Sequence, residues 1–114
     1  MISMAQITFA EWKKLQIRVG KIVNVERVPK TDKLYKLQVD IGEEKPRQVI
    51  TGLVPYYSEE DLQDKKIITL TNLEPAKIAG EISEGMLLCA TNREENKCVL
   101  LSVEKDFEPG TSIT

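Results

Sequence analysis

The chain has 114 residues, 41% of them apolar and 30% charged, with a formal net charge of −2. This fits one soluble globular domain over 1–114 and excludes a low-complexity or strongly basic chain. No apolar run approaches the ~20 residues needed to cross a bilayer, and Met1 to Ala5 lacks the start of a secretory signal, so no membrane partner and a cytoplasmic setting are expected. There is no histidine, and Cys89 and Cys98 are too few for a disulfide framework or a zinc site. No metal or cofactor is therefore expected, and the thiols, which could meet across a hairpin, are expected to be reduced.

Residues 1–5 are expected to be frayed. Thr8-Phe9-Ala10-Glu11 has the form of a capping box and predicts a short helix over about Phe9–Lys14. Phe9 and Trp12 share one face of it, which predicts that Trp12 packs against a sheet. Ile17 to Ile41 reads as strand, basic loop, strand. Val19, Val23 and Val25 are expected on one face of the first strand, and Leu37, Val39 and Ile41 on one face of the second. Gly20 inside the first strand predicts a bulge or bend. Pro29-Lys30-Thr31-Asp32-Lys33 is the turn between them.

A third strand is predicted over about Arg47–Val54, ended by Pro55. Ser58 then caps a short helix, and Glu59, Glu60 and Asp61 suit the positive end of its dipole. Those acids need no metal or catalytic role. A fourth strand covers about Lys65–Leu73. Glu74 to Gly85 is expected to be a loop too long for a hairpin, and loops of that length are more often functional than connective. A fifth strand is predicted over about Met86–Thr91, then a polar turn at Asn92–Asn96 and a further strand over Lys97–Val103. Five strands with a helix between the third and fourth is the arrangement of the OB-fold, an all-β, partly open barrel. An SH3-like barrel, the main competitor, would not usually carry that helix.

The charge is unevenly placed. Residues 1–36 carry eight Lys/Arg and three acids, a local charge of +5, whereas 37–114 carry −7. A polyanion feels the field within a Debye length, about 8–10 Å, and not the global sum. OB-folds bind oligonucleotides or oligosaccharides on the face of strands two and three, between the loops after strands one and four. Here those loops supply Lys30, Lys33 and Lys36 on one side and Lys77 on the other. Arg18 is expected to point away from the core on strand one. Lysines serve as compact charges toward phosphate rather than planar readers of bases. Among six aromatics only Tyr35 lies beside the basic loop, so a folded RNA fits better than an extended strand stacked on rings. No Gly-rich phosphate loop, nucleophile elbow or metal cluster is present, so no catalytic residue is expected.

Several segments resemble one family: Ile17-Arg18-Val19-Gly20-Lys21-Ile22, Asp32-Lys33-Leu34-Tyr35, Arg47 to Gly52, Asn72-Leu73-Glu74-Pro75-Ala76-Lys77 and Ser83-Glu84-Gly85-Met86. In this order and spacing they are similar to the tRNA-binding domain family. That family includes free-standing structure-specific tRNA-binding proteins and the C-terminal domain or beta subunit of methionyl-tRNA synthetases. The resemblance runs from about Phe9 to Thr111. It implies an OB-fold that binds tRNA by shape, without catalysis, as a homodimer and in some members in trans with methionyl-tRNA synthetase. The segments outside the barrel, Met1–Lys14 and roughly Arg93–Thr114, would form the dimer contact. The resemblance adds Asn72, Ser83 and Met86 to Lys33 and Lys77 as RNA-binding residues. From the residues alone, Ser83 reads as a turn serine and Met86 as core. The chain departs from many relatives at Val28-Pro29-Lys30-Thr31 and by the acid Glu81, which is expected to weaken phosphate contact nearby. A chaperone-like peptide-binding module of the same fold is the alternative function. It would need an exposed apolar pocket rather than a basic rim.

Overall fold

The computed structural model describes residues 5–114, so the expectation of fraying over residues 1–5 lies, for 1–4, outside the described residues. Helix α1 (Phe9–Lys14) starts as the capping box predicts: the Glu11 amide donates to Thr8 Oγ1 and the Thr8 amide to Glu11 Oε1. No residue of α1 is buried. Trp12 is 37% exposed and Phe9 71%, so Trp12 is partly covered and Phe9 is open.

Strand β1 (Ile17–Arg27) is the spine. Its first half pairs with β4 (Lys66–Leu70) and its second with β2 (Tyr35–Asp40), which pairs in turn with β3 (Arg47–Thr51). One strand can serve both neighbours because it bends. The register shifts between Ile22 and Asn24, two residues beyond the glycine that was expected to mark the bulge. Gly20 is needed for a different reason. A Cβ there would lie 2.8 Å from Val39 Cγ1 and 3.0 Å from Ile67 Cδ1, inside the core. The shift also breaks the predicted alternation. Val19 packs on an outer cluster with Ile17 and Ile68, Val25 packs on the barrel core, and Val23 is exposed. Leu37, Val39 and Ile41 all face the core, as the period of two predicts.

The short helix α2 (Glu59–Leu62), capped by Ser58, places Leu62 in that core. The expected long loop after β4 is itself a hairpin, β5 (Ala76–Ile78) and β6 (Glu81–Ser83), joined through Ala79 (φ 50) and Gly80 (φ 84). Positive φ at both turn residues is the geometry of the tight primed turns, and Ala-Gly is a weak sequence sign for it. Strand β7 (Met86–Leu87) pairs with β4. The sheet order is β3-β2-β1-β4-β7, and the free edge of β3 closes onto the chain after β6. There the Glu84 amide donates to Gln48 O at 2.7 Å and the Ile50 amide to Ser83 Oγ at 3.0 Å. The result is a nearly closed, five-stranded antiparallel barrel of the OB type.

Strands β8 (Cys89–Asn92) and β9 (Lys97–Leu100) form an outer hairpin, and β10 (Ser112–Ile113) adds to the start of β1. Cys89 and Cys98 are free thiols on that hairpin. Burial, then the neighbouring Cys98 thiol, pushes the Cys89 thiol up to about 11. Among the described residues no helix is long and apolar enough to cross a membrane, and no cluster could hold a metal ion.

Candidate nucleic-acid interface

The loop after β1 is ordered by its own backbone. The Val28 amide donates to Leu34 O at 3.1 Å, the Thr31 amide to Val28 O at 3.3 Å, and Thr31 Oγ1 to Val28 O at 2.8 Å. Lys30 takes a left-handed conformation (φ 64) at the turn. The Val54 amide donates to Lys33 O and so pins the loop to the chain leaving β3. Lys30 and Lys33 are exposed, and neither makes an ion pair among the described residues. Arg27 stands beside them, its Nη2 donating to Asp32 O at 3.4 Å. Sequence reasoning counted Arg27 as charge without assigning it to the site. Its place at the end of a strand that feeds the basic loop was the available signal.

Lys36 follows on the outer face of β2 and is not free. Its Nζ lies 3.4 Å from Glu81 Oε1 and 3.8 Å from Glu26 Oε2. Glu81 belongs to β6, so this pair ties the β5–β6 hairpin to the strand that follows Lys33. Gln48 adds a second tie, its Nε2 donating to Ile82 O at 2.8 Å. On that hairpin Lys77 pairs with Ile82 on the face opposite Glu81 and Ser83; it is exposed and makes no ion pair among the described residues. The Lys36–Glu81 and Gln48–Ile82 contacts thus join the hairpin that carries Lys77 to the sheet that follows the loop of Lys30 and Lys33.

The other predicted residues lie apart from that lip. Arg18 is half-buried and alternates with Ile17 and Val19, which are buried in a cluster with Ile68. Arg18 stands in register with buried Thr69 of β4. It sits at the far end of β1 from Arg27, up to about 30 Å along an extended strand. Its neighbour there is Glu43, whose carboxyl is held below the usual range first by its hydrogen bond to Arg47 and in smaller part by the charge of Arg18. Arg47 is the knot of that end. It bonds Glu43 through Nε and Nη2, each at 2.9 Å, and reaches Thr71 O and Glu84 O through Nη1.

Asn72 spends its side-chain amide on the backbone, accepting from the Gln16 amide at 2.9 Å and donating to Lys14 O at 2.6 Å. It fastens the end of α1 to β4. Ser83 is buried, accepting from the Ile50 amide and donating to Gly85 O at 3.2 Å. Met86 is 43% exposed, against the reading of a core methionine, and lies in register with Leu70 on the barrel's outside. Tyr35, the only aromatic beside the basic loop, is buried with its hydroxyl donated to Tyr57 O at 2.7 Å.

The tRNA_bind family model, described as "Putative tRNA binding domain", matches residues 17–112. The chain belongs to this tRNA-binding domain family. It is 46% identical over 110 residues to the methionine–tRNA ligase of Methanocaldococcus jannaschii, covering 96% of this chain and 17% of the ligase. The chain thus spans about a sixth of the length of the curated relatives it matches. A solved structure of a MetRS-related protein from Pyrococcus horikoshii superposes with a TM-score of 0.88 at 34% identity, covering 97% of this chain and 100% of that one. The chaperone CsaA from Bacillus anthracis superposes at 0.84 with 28% identity, covering 96% of this chain and 100% of that one.

This tRNA-binding domain carries a second exposed surface of opposite chemistry. Phe9, Trp12 and Leu15 of the α1 segment, with Ile113 of β10, line a shallow groove of about 380 Å³. Phe107, Val99 and Leu101 are also exposed.

Proposed function

We propose that this domain binds folded tRNA without catalysis, gripping phosphates at the lip formed by the loop after β1 and the β5–β6 hairpin. Lys30, Lys33 and Lys77 are the phosphate contacts, with Arg27 beside them. The observation that carries this reading is that Lys30 and Lys33 on the ordered loop and Lys77 on the hairpin tied to the same sheet are exposed and make no ion pair among the described residues. The family assignment supports the choice of tRNA. Burial of Tyr35 supports a folded RNA over an extended one, because the lip then lacks a ring on which to stack bases. Arg18, Asn72 and Ser83 support the barrel rather than touch RNA in this reading. Met86 lies outside the lip.

The domain acts as a homodimer through the apolar groove of α1 and β10, and it serves methionyl-tRNA synthetase in trans. Two linked weak sites hold one RNA far more tightly than either alone. A gel-shift titration of bulk tRNA against single-stranded RNA of equal length, run beside a sizing measurement, tests the reading. Preferred binding of tRNA by a dimer is expected. Equal binding of the two RNAs would overturn shape selection, and a monomer would overturn the dimer.

The chaperone reading has one observation in its favour, the same apolar groove. It predicts that an unfolded peptide competes with tRNA or binds in its place. In the tRNA reading the groove is covered by the second copy, and the peptide fails to compete.

A further inference from the structure

The cation at the centre of the proposed RNA-facing sheet is occupied from within the molecule. Lys36 stands on β2 between Lys33 and the hairpin that carries Lys77, where a phosphate spanning the lip would pass. Its Nζ is held 3.4 Å from Glu81 Oε1 and 3.8 Å from Glu26 Oε2, with the side chains of Lys36 and Glu81 only 23% and 30% exposed. Glu81 Oε1 also accepts from Gln48 Nε2 at 3.5 Å, and Glu26 Oε1 from Asn24 Nδ2 at 3.2 Å. One cation and two carboxylates leave this cluster with a net charge of −1.

A carboxylate and a phosphate oxygen want the same thing from an ammonium group: short charge-assisted hydrogen bonds. We infer that Glu81 sets the affinity of this domain for RNA by occupying Lys36 as a phosphate would. The inference rests on the tRNA-binding reading. Partly exposed ion pairs of this kind are weak, so a phosphate can displace Glu81, but only by leaving its carboxylate unpaired beside the RNA backbone. The same pair holds the hairpin against the sheet. Phosphate contact at Lys36 and closure of the hairpin by Glu81 are therefore alternatives, and the acid makes the domain a weaker and less salt-sensitive binder than its lysine content allows.

The test is tRNA affinity over a range of salt for the full chain and for Glu81→Gln, with Lys36→Met added to each. Glutamine keeps the acceptor for Lys36 and Gln48 and removes the charge. Glu81→Gln is expected to bind tRNA about three- to tenfold more tightly near 0.1 M salt. Its plot of log affinity against log salt steepens by about 0.7 to 0.9, the signature of one more phosphate contact. Adding Lys36→Met to Glu81→Gln removes both gains. If the gain survives Lys36→Met, it is a general charge effect and the inference is overturned. Equal affinity and slope for wild type and Glu81→Gln, with tRNA bound by both, overturns this inference alone. Absence of tRNA binding by every variant overturns the tRNA-binding reading and this inference with it.

Discussion

The two ends of β1 began with the same chemistry and finish with opposite ones. Arg18 and Arg27 are both arginines of one strand in the cation-rich first third of the chain. At the Arg18 end the neighbouring charges are absorbed: Glu43, Arg47 and the carbonyls of Thr71 and Glu84 form one bonded cluster, with the apolar α1 and β10 surface beside it. At the Arg27 end, Lys30 and Lys33 stand on an ordered loop with no ion pair among the described residues. A count of cations along a sequence measures charge present. Pairing in the fold decides how much of it a polyanion can use.

The contrast can be broken first at the dimer. Trp12→Asp places a charge in the apolar groove and is expected to turn a dimer into a monomer by size-exclusion chromatography. Loss of avidity should weaken tRNA about a hundredfold. A variant that remains dimeric would move the interface elsewhere. The lip is next: Lys33→Ala with Lys77→Ala should weaken tRNA about tenfold and flatten the salt dependence by about 1.5 in slope, measured by filter binding. Ser83→Ala leaves the Ile50 amide without its buried acceptor and should cost about 1 to 3 kcal/mol in a urea melt. The folded variant should keep its tRNA affinity, since the serine seals the barrel and does not face the lip.

Arg18→Ala sharpens the comparison from the other side, with an expected change in tRNA affinity under about twofold. The smallest effect concerns acid. Arg47 depresses the Glu43 carboxyl in the folded state, so that bond adds stability at pH values above the unfolded carboxylate range and loses it as pH falls through the folded value. The urea midpoints of wild type and Glu43→Gln should therefore differ at pH 7 and draw together as the pH falls below the ordinary carboxylate range. A constant gap would mean that the Glu43 charge is not what matters.

Much of the barrel was legible in the sequence because its signals are local. The capping box at Thr8, the cap at Ser58, the period of two through Leu37, Val39 and Ile41, and the turn residues around Lys30 each specify their own segment. The register shift at Ile22–Asn24 was not legible, since a bulge moves side chains between faces without changing composition. It sent Val19 and Val25 to different clusters. The β5–β6 hairpin was hidden by an Ala-Gly turn and strands of three residues. Lys33 and Lys77 could be chosen by charge alone. The pairing of Lys36 with Glu81 lies 45 residues apart in sequence and emerges only when the hairpin folds onto the sheet.

Lysine acetylation footprinting with and without tRNA tests the placement of the site most directly. Each lysine reports on its own surface, so both ends of the molecule are read in one experiment. Lys30, Lys33 and Lys77 are expected to be protected by tRNA, while Lys13 and Lys14 on α1 and Lys97 on the outer hairpin keep their reactivity. Protection of Lys13 and Lys14, with Lys30, Lys33 and Lys77 still modified at the free rate, would contradict the account.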